Sequence, residues 1–176
     1  MPDPARIAGT VRRWISVATA LACLIPCAAA AQDQPVVAAI EAAYLTKFPA
    51  FVEWPAGGPT ALCVLAPEAT GRLIEQAESK LPPDAGPAAV LRLPPSAPAL
   101  GCGMLFVGER DVPLPPMAPA TLVVTDQAAD GHKGVINFVI RDDRVRFEID
   151  DAEAARRGLI ISSKLLSLAV SVKPRA

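Results

Sequence analysis

The stretch TALCVLAPEATGRLIEQAESKL, residues 60–81, decides the fold class. Its first part, residues 60–66, is a short apolar run of the length and composition of a buried strand. Its second part, residues 67–81, places Leu73, Ile74 and Ala77 on one face of a helix. A strand followed directly by an amphipathic helix predicts an α/β unit.

Three further short apolar runs, at residues 88–93, 103–108 and 120–126, predict more strands of the same sheet. Ten prolines lie between residues 82 and 119, which leaves a linker between two domains as an alternative. The apolar runs between these prolines are too regular for a disordered linker. We therefore expect surface loops around buried strands.

The stretch GVINFVIRDDRVRFEID, residues 134–150, has a strand pattern on each side of RDDR and predicts a hairpin. In its second strand Val145, Phe147 and Ile149 point one way, while Arg146 and Glu148 point the other. The chain is thus predicted to be an α/β protein with a mixed sheet.

Two further helices are predicted along the chain, one before the first strand and one after the hairpin. The first, within residues 35–54, ends near Lys47 because of Pro49, and its buried face comprises Val37, Ile40, Tyr44, Phe48 and Phe51. The second begins after residue 150, is interrupted at Gly158 and then resumes, with a shared stripe of Leu159, Ser163, Leu166 and Val170.

Residues 1–31 have the pattern of a signal peptide, which leaves residues 32–176 as one mature domain. The flanking residues fit two other routes less well: lipoprotein export through Cys23 or Cys27, and twin-arginine export through Arg12 and Arg13.

The mature chain has 14 basic and 17 acidic residues, a net charge of −3, and no basic stripe. Nucleic acid binding has no support, and no membrane span is expected after cleavage.

Cys63 and Cys102 remain in the mature chain, an even pair in an exported protein. A disulfide is the expected state, with two buried thiols as the alternative.

The single histidine, His132, cannot form a multi-histidine metal site. Asp126 and Asp130 are candidate acids and bases, and Ser163-Lys164 does not match S-x-x-K. We predict no enzyme, no metal and no cofactor.

Three stretches in order resemble one family: AAYLTKFPAFVEWP (42–55), VRFEID (145–150) and GLIISSKLLSLA (158–169). Together they resemble the YfiR-type periplasmic repressors. The resemblance implies a single-domain, Rossmann-like three-layer sandwich with a mostly parallel sheet. By position, Cys63 and Cys102 match the family's disulfide pair, whereas a second pair found in some members is missing from this sequence.

The function implied by the resemblance is regulatory. Such proteins bind the periplasmic sensor domain of a membrane-bound diguanylate cyclase of the YfiN type, which lowers cyclic di-GMP and restrains biofilm formation. The alternatives are a small-ligand binding module that uses the carboxyl ends of the strands, and a hydrolase that uses His132 and Asp126. A homodimer is left open. The candidate partner-binding residues within the matching stretches are Lys47, Phe51, Glu53, Trp54, Arg146, Glu148, Ser162, Ser163 and Lys164.

Overall fold

The computed structural model describes residues 30–55, 57, 61–82, 85–109, 111–126 and 133–175. Along these residues the helices are α1 (Ala30–Leu45), α2 (Glu68–Glu78), α3 (Asp151–Arg156) and α4 (Ser163–Leu166), with a 3-10 turn at Phe48–Phe51. The strands are β1 (Val52–Glu53), β2 (Leu62–Leu65), β3 (Val90–Arg92), β4 (Met104–Val107), β5 (Leu122–Thr125), β6 (Ile136–Arg141), β7 (Arg144–Asp150), β8 (Ile160–Ile161) and β9 (Ser171–Lys173).

Seven of these strands form one sheet in the order β3-β2-β4-β5-β6-β7-β9. Each neighbouring pair is parallel except β6 and β7, which form an antiparallel hairpin. Helices flank this sheet, so the chain is a mixed α/β domain of the Rossmann-like kind, as predicted. The two remaining strands, β1 and β8, form a separate antiparallel pair.

The sheet is covered on both faces by different kinds of structure. The helix face includes Val64, Phe106 and Phe138, which share one core with residues of α1 and α2. The loop face includes the alternate residues Cys63, Leu65, Leu105 and Val107, covered by Leu93, Val112, Leu114 and Met117 of the proline-rich segment. Burial on both faces explains why β2 and β4 are apolar throughout and why β5 is apolar up to its last residue, Thr125. The proline-rich segment is therefore a set of loops around buried strands, as predicted.

An aromatic cluster fixes α1 and the 3-10 turn on the helix face. The ring of Phe48 lies 5.9 Å from that of Phe138 and 5.5 Å from that of Phe147, measured between centroids. Tyr44 lies 5.5 Å from Phe147 in an edge-on geometry. Such pairs add about 0.5–1.5 kcal/mol each beyond the burial of their area. The concentration of aromatic residues near the start of the domain thus serves packing.

The hairpin turns at Asp142 and Asp143, which have left-handed φ values of 51° and 54°. Two successive left-handed residues match the right-handed twist of the flanking strands, and aspartate tolerates that conformation better than most residues. Val145, Phe147 and Ile149 are buried on the helix face. The predicted hairpin is confirmed.

The predicted buried face of α1 is partly wrong. Val37, Tyr44, Phe48 and Phe51 pack against the core as predicted, whereas Ile40 is exposed. The fully buried residues of this helix are Glu41, Ala42 and Leu45. Alanine and other apolar residues surround the helix on every side, so periodicity alone cannot exclude Ile40 from the face that packs. The aromatic rings select it instead, because Phe48 follows in the 3-10 turn that Pro49 imposes.

The predicted C-terminal helix is also wrong in its second part. After Gly158, which has a φ of 73°, the chain forms strand β8, the single turn α4 and strand β9. Ile160 and Ile161 are β-branched and pair with β1, a partner that lies outside any local window. As a result Leu159, Ile161 and Leu165 are buried, while Ser163 and Val170 are exposed.

Candidate partner-binding surface

The antiparallel pair of β1 and β8, which we call the ribbon, contains Glu53 and is flanked along the chain by five other predicted partner-binding residues: Phe51, Trp54, Ser162, Ser163 and Lys164. Val52 pairs with Ile161, and both side chains are buried in the main core. Glu53 pairs with Ile160, and both of these side chains are exposed. Ile160 is 52% exposed. Because successive side chains of a strand point to opposite sides, burial of Val52 and Ile161 places Glu53 and Ile160 on the exposed side.

The ends of the ribbon are fixed by contacts to the 3-10 turn and to α4. The backbone N–H of Ser162 donates to the carbonyl of Phe51 at 2.9 Å, which continues the pairing by one residue. The Ser162 hydroxyl accepts a hydrogen bond from the N–H of Leu165 at 3.3 Å and caps α4. The Nζ of Lys164 lies 5.6 Å from the centroid of the Phe51 ring, within the range of a cation–π contact.

The ribbon therefore presents a small, chemically mixed surface. Its outward groups are the carboxylate of Glu53 and the side chain of Ile160, and the adjoining start of α4 adds Ser163 and the ammonium of Lys164. Among the described residues, no ion pair joins Glu53 to Lys164, so both charges remain available to a partner. An exposed apolar residue flanked by opposite charges is suited to protein recognition, where anchors are apolar and charges set orientation.

Trp54 connects the ribbon to the amino-terminal end of the sheet. Its indole N–H donates to the carbonyl of Gly103 at 3.3 Å. Gly103 directly follows Cys102, and its carbonyl also accepts from the N–H of Leu122 at 2.9 Å. Trp54 is half-buried. It is thus a positioning residue that fixes the end of β1 beside β4.

Cys63 and Cys102 form a disulfide at the same end of the sheet, with their Cα atoms 5.7 Å apart. Cys63 lies within β2, and Cys102 lies two residues before β4. The Cys102 carbonyl accepts a hydrogen bond from the hydroxyl of Thr121 at 3.0 Å. The bond therefore joins neighbouring strands through a segment that is also hydrogen-bonded to the start of β5.

Lys47 lies between α1 and the 3-10 turn. Its N–H donates to the carbonyl of Tyr44 at 2.9 Å, and its carbonyl accepts from the N–H of Ala50 at 3.1 Å. The side chain is exposed at the end of a shallow apolar groove along α1 that includes Val36 and Ile40. Its backbone fixes the turn, while its ammonium group faces outward.

Arg146 and Glu148 lie elsewhere. Both belong to β7, and their register with Val139 and Asn137 of β6 places them on the loop-face side of the sheet. The Glu148 carboxylate is 3.5 Å from the guanidinium of Arg141. The ribbon packs its buried side chains on the helix face. The predicted residues thus divide into two groups on opposite faces of the sheet.

A buried acid, Glu41, meets a half-buried one, Asp126, at the carboxyl end of the sheet, and the sequence analysis did not predict this pair. Glu41 on α1 is only 3% exposed, and its side chain hydrogen-bonds to Asp126, the residue after β5. Burial, the negative charge of Asp126 and the hydrogen bond between the two side chains together raise the pKa of Glu41 to about 9, with burial the largest cause. The sequence signal was weak, since an isolated glutamate on a helix is usually solvated.

The described residues offer little further chemistry. They contain no group of three or more histidine, cysteine, aspartate or glutamate side chains that could hold a metal ion. His132 and Asp130, considered for a hydrolase, lie outside the described residues. In the part of the chain that is described, no helix combines the length and apolar character needed to cross a membrane.

The fold and these sites define a class: a disulfide-linked α/β domain whose exposed features suit protein recognition. Residues 38–170 match the model of the YfiR/HmsC-like family. The chain belongs to that family, which confirms the resemblance identified from the sequence. The family is periplasmic and regulatory rather than catalytic. No curated protein matches the chain.

Proposed function

We propose that this protein is a periplasmic inhibitor of a membrane-bound diguanylate cyclase. It binds the cyclase's periplasmic sensor domain, lowers cyclic di-GMP and restrains biofilm formation. The observation that carries the proposal is the family match over residues 38–170, which spans both strands of the ribbon and both cysteines of the disulfide. The protein acts by binding and not by catalysis.

The ribbon is the proposed contact with the cyclase. Its inner side chains, Val52 and Ile161, are part of the core, so its outer side is presented on a rigid support. Binding to a pre-ordered surface costs less entropy than binding to a mobile loop. Ile160 is the apolar anchor, and Glu53 and Lys164 orient the partner.

Inhibition follows from a difference in affinity. A regulator shifts a two-state sensor only by the amount by which it binds one state more tightly. The ribbon must therefore fit the inactive form of the sensor domain better than the active form. Removing an anchor from the ribbon reduces that difference and releases the cyclase.

The test measures cyclic di-GMP in cells that contain this gene and a membrane-bound diguanylate cyclase of the YfiN type from the same genome. Deletion of the gene should raise cyclic di-GMP, and the wild-type gene should restore it. Purified protein should also bind the isolated periplasmic domain of that cyclase. Unchanged cyclic di-GMP on deletion, in cells where the cyclase is demonstrably active, would contradict the proposal.

Ile160→Asp tests the ribbon itself. We expect the dissociation constant for the sensor domain to rise at least about tenfold, equivalent to about 1.4 kcal/mol. Leu91→Asp is the matched control, since Leu91 is an exposed aliphatic residue of similar accessibility on β3 at the far edge of the sheet. Equal losses in both variants would exclude the ribbon as the contact.

Arg146→Glu separates the two groups of candidate residues. Arg146 lies on the opposite face from the ribbon, so the variant should keep normal affinity while Lys164→Glu loses it. If Arg146→Glu loses affinity while Lys164→Glu keeps it, the contact with the sensor domain lies on the loop face of the sheet, at β7.

We also propose that residues 1–31 are removed on export by a Sec-type signal peptidase and that residues 32–176 form the mature domain. The proposed cleavage falls within the first turn of α1, which begins at Ala30. N-terminal sequencing of the protein recovered from the periplasm tests this proposal. Recovery of the uncleaved chain in the membrane fraction, or of a lipid-modified cysteine, would contradict it.

A further inference from the structure

The two methionines within residues 32–176 lie in contrasting surroundings. Met104 lies in β4 and is completely buried in the core of the helix face. Met117 lies in the proline-rich segment, is half-buried, and packs against the buried residues of the loop face. Of the two, Met117 is therefore the methionine that a small solute reaches in the folded protein.

A guanidinium group lies against the sulfur of Met117. The Nη1 of Arg157 is 3.6 Å from the Met117 Sδ, and it also donates to the carbonyl of Thr121 at 3.3 Å. The Nε of Arg157 donates to the Glu153 carboxylate at 2.7 Å. A thioether is a weak hydrogen-bond acceptor. One charged donor of Arg157 is therefore directed at an atom that uses little of its strength.

Arg157 is held in this position by both its backbone and its side chain. Its backbone N–H donates to the carbonyls of Glu153 and Ala154, each at 3.1 Å, at the end of α3. Its side chain is only 21% exposed. A donor that is already ordered loses little entropy when it makes a new hydrogen bond. A stronger acceptor at the sulfur of Met117 would thus find its donor in place.

We propose that Met117 is a site of reversible oxidation in the folded protein and that Arg157 holds the sulfoxide oxygen. The oxidant is a peroxide, of which hydrogen peroxide is the simplest. Its O–O bond breaks as an S–O bond forms, so the sulfur gives up two electrons and the peroxide is reduced. The proton of the transferred oxygen passes to the departing hydroxide, which leaves as water. Sulfoxide reductases return the product to the thioether.

The geometry explains why the folded protein tolerates the product. A methionine sulfoxide is polar and ordinarily disrupts an apolar core. The flexible side chain of Met117 allows the new oxygen to turn away from the loop face and toward Arg157. There a charge-assisted hydrogen bond replaces a weak one. The inference depends on neither the proposed cyclase nor the disulfide.

Peroxide treatment followed by mass spectrometry of peptides tests the site. The protein is the full chain with Cys23→Ser and Cys27→Ser, which keeps only the cysteines of the disulfide. Met117 should gain one oxygen while Met104, the buried control, stays unmodified until the protein is denatured. Equal oxidation of the two methionines in the folded protein, or an unmodified Met117, would overturn the proposal.

Arg157→Leu tests the role of the guanidinium. The variant also loses the contacts to Thr121 and Glu153, so the Tm of each oxidised protein is compared with that of its own unoxidised form. Oxidation should change the wild-type Tm by less than about 2 °C and lower that of Arg157→Leu by at least about 4 °C. Met117→Leu is the control and should not respond to peroxide. Equal losses in the wild type and Arg157→Leu would contradict the role of Arg157.

Met117→Gln gives a second test that needs no oxidant and keeps Arg157. Its amide oxygen replaces the sulfoxide oxygen as an acceptor, so its Tm should lie within about 2 °C of the wild-type value. Leu114→Gln is the matched control, because Leu114 packs against the same core from the same proline-rich segment. Its Tm should fall by at least about 4 °C, since Arg157 contacts Met117 and the new amide enters an apolar contact. Equal losses in the two glutamine variants would show that Arg157 does not hold an oxygen at residue 117.

Discussion

The two ends of the parallel sheet are closed by different chemistry. At the amino-terminal end, the Cys63–Cys102 disulfide, the Trp54 indole and the Thr121 hydroxyl hold the starts of the strands together. At the carboxyl end, Glu41 from α1 meets Asp126 after β5. The first closure is covalent with neutral hydrogen bonds, and the second depends on a proton.

This difference predicts that one fold responds to two separate conditions. Reduction should loosen the end of the sheet to which the ribbon is attached through Trp54. A rise in pH should loosen the end to which α1 is attached through Glu41. Each of the following substitutions removes one interaction, either at one end of the sheet or in the surface beside it.

The largest effect is expected from removing the disulfide in a Cys63→Ser, Cys102→Ser double variant. The bond joins residues separated by 39 positions, and the chain-entropy model gives it about 4 kcal/mol. The free energy of unfolding in urea should fall by about that amount, and reductant should then have no further effect. A loss below about 1 kcal/mol would show that the remaining hydrogen bonds suffice to close this end.

Glu41→Gln should act at the opposite end and with the opposite sign. The unfolded chain releases the Glu41 proton near its ordinary pKa of 4.5, whereas the folded protein holds it until about pH 9. The wild-type protein therefore loses stability as pH rises between these values. Glutamine is neutral throughout, so the variant should be more stable by about 3 kcal/mol at pH 7 and nearly equal near pH 4.

Unfolding measured across this pH range checks that prediction, with Asp126→Asn as the control. Burial is the largest cause of the raised pKa, so the pH slope should shrink in Asp126→Asn but persist. Parallel pH profiles for wild-type and Glu41→Gln would show that the acid is ionised in the folded protein.

A smaller loss is expected from Trp54→Phe, which removes the hydrogen bond to Gly103 and keeps most of the ring. Because the Gly103 carbonyl still accepts from Leu122, no buried acceptor is left unsatisfied. The cost should be about 1 kcal/mol and independent of pH. Calorimetry at two pH values checks both points, and a pH-dependent loss would connect Trp54 to the acid pair.

The smallest effect on stability is expected from Lys164→Met. The substitution removes the cation above Phe51, a contact worth about 0.5–1 kcal/mol at an exposed site. Its effect on the affinity for the sensor domain should be larger than its effect on the free energy of unfolding. Loss of both in equal proportion would indicate a purely structural role for Lys164.

Local patterns predicted much of the sheet. The runs that form β2, β4 and β5 are apolar because both faces are covered, and the Asp142-Asp143 turn follows directly from the alternation around it. The disulfide was also expected from the sequence, since removal of the predicted signal peptide would leave two cysteines, which an oxidising compartment favours as a pair.

The candidate site was harder to predict because its parts are distant in sequence. The ribbon requires Val52 to find Ile161, and the isoleucines of that segment resemble a helix stripe until the partner strand is known. Likewise, the alternation along β7 placed Arg146 and Phe147 on opposite faces of the sheet. It could not predict on which of these two faces the ribbon packs. Glu41 was missed because a buried acid contradicts the usual surface preference of glutamate.

The pairing of β1 with β8 also has a consequence for the order of folding. Its strands lie more than a hundred residues apart, whereas β6 and β7 are joined by a turn of two residues. Long-range pairs close late, because the chain between them must first be ordered. A chain that crosses a membrane from its amino terminus onward cannot build the ribbon until nearly all of it has emerged. The proposed partner would then encounter this surface only on a finished molecule, so a truncated or stalled chain would leave the cyclase unrestrained.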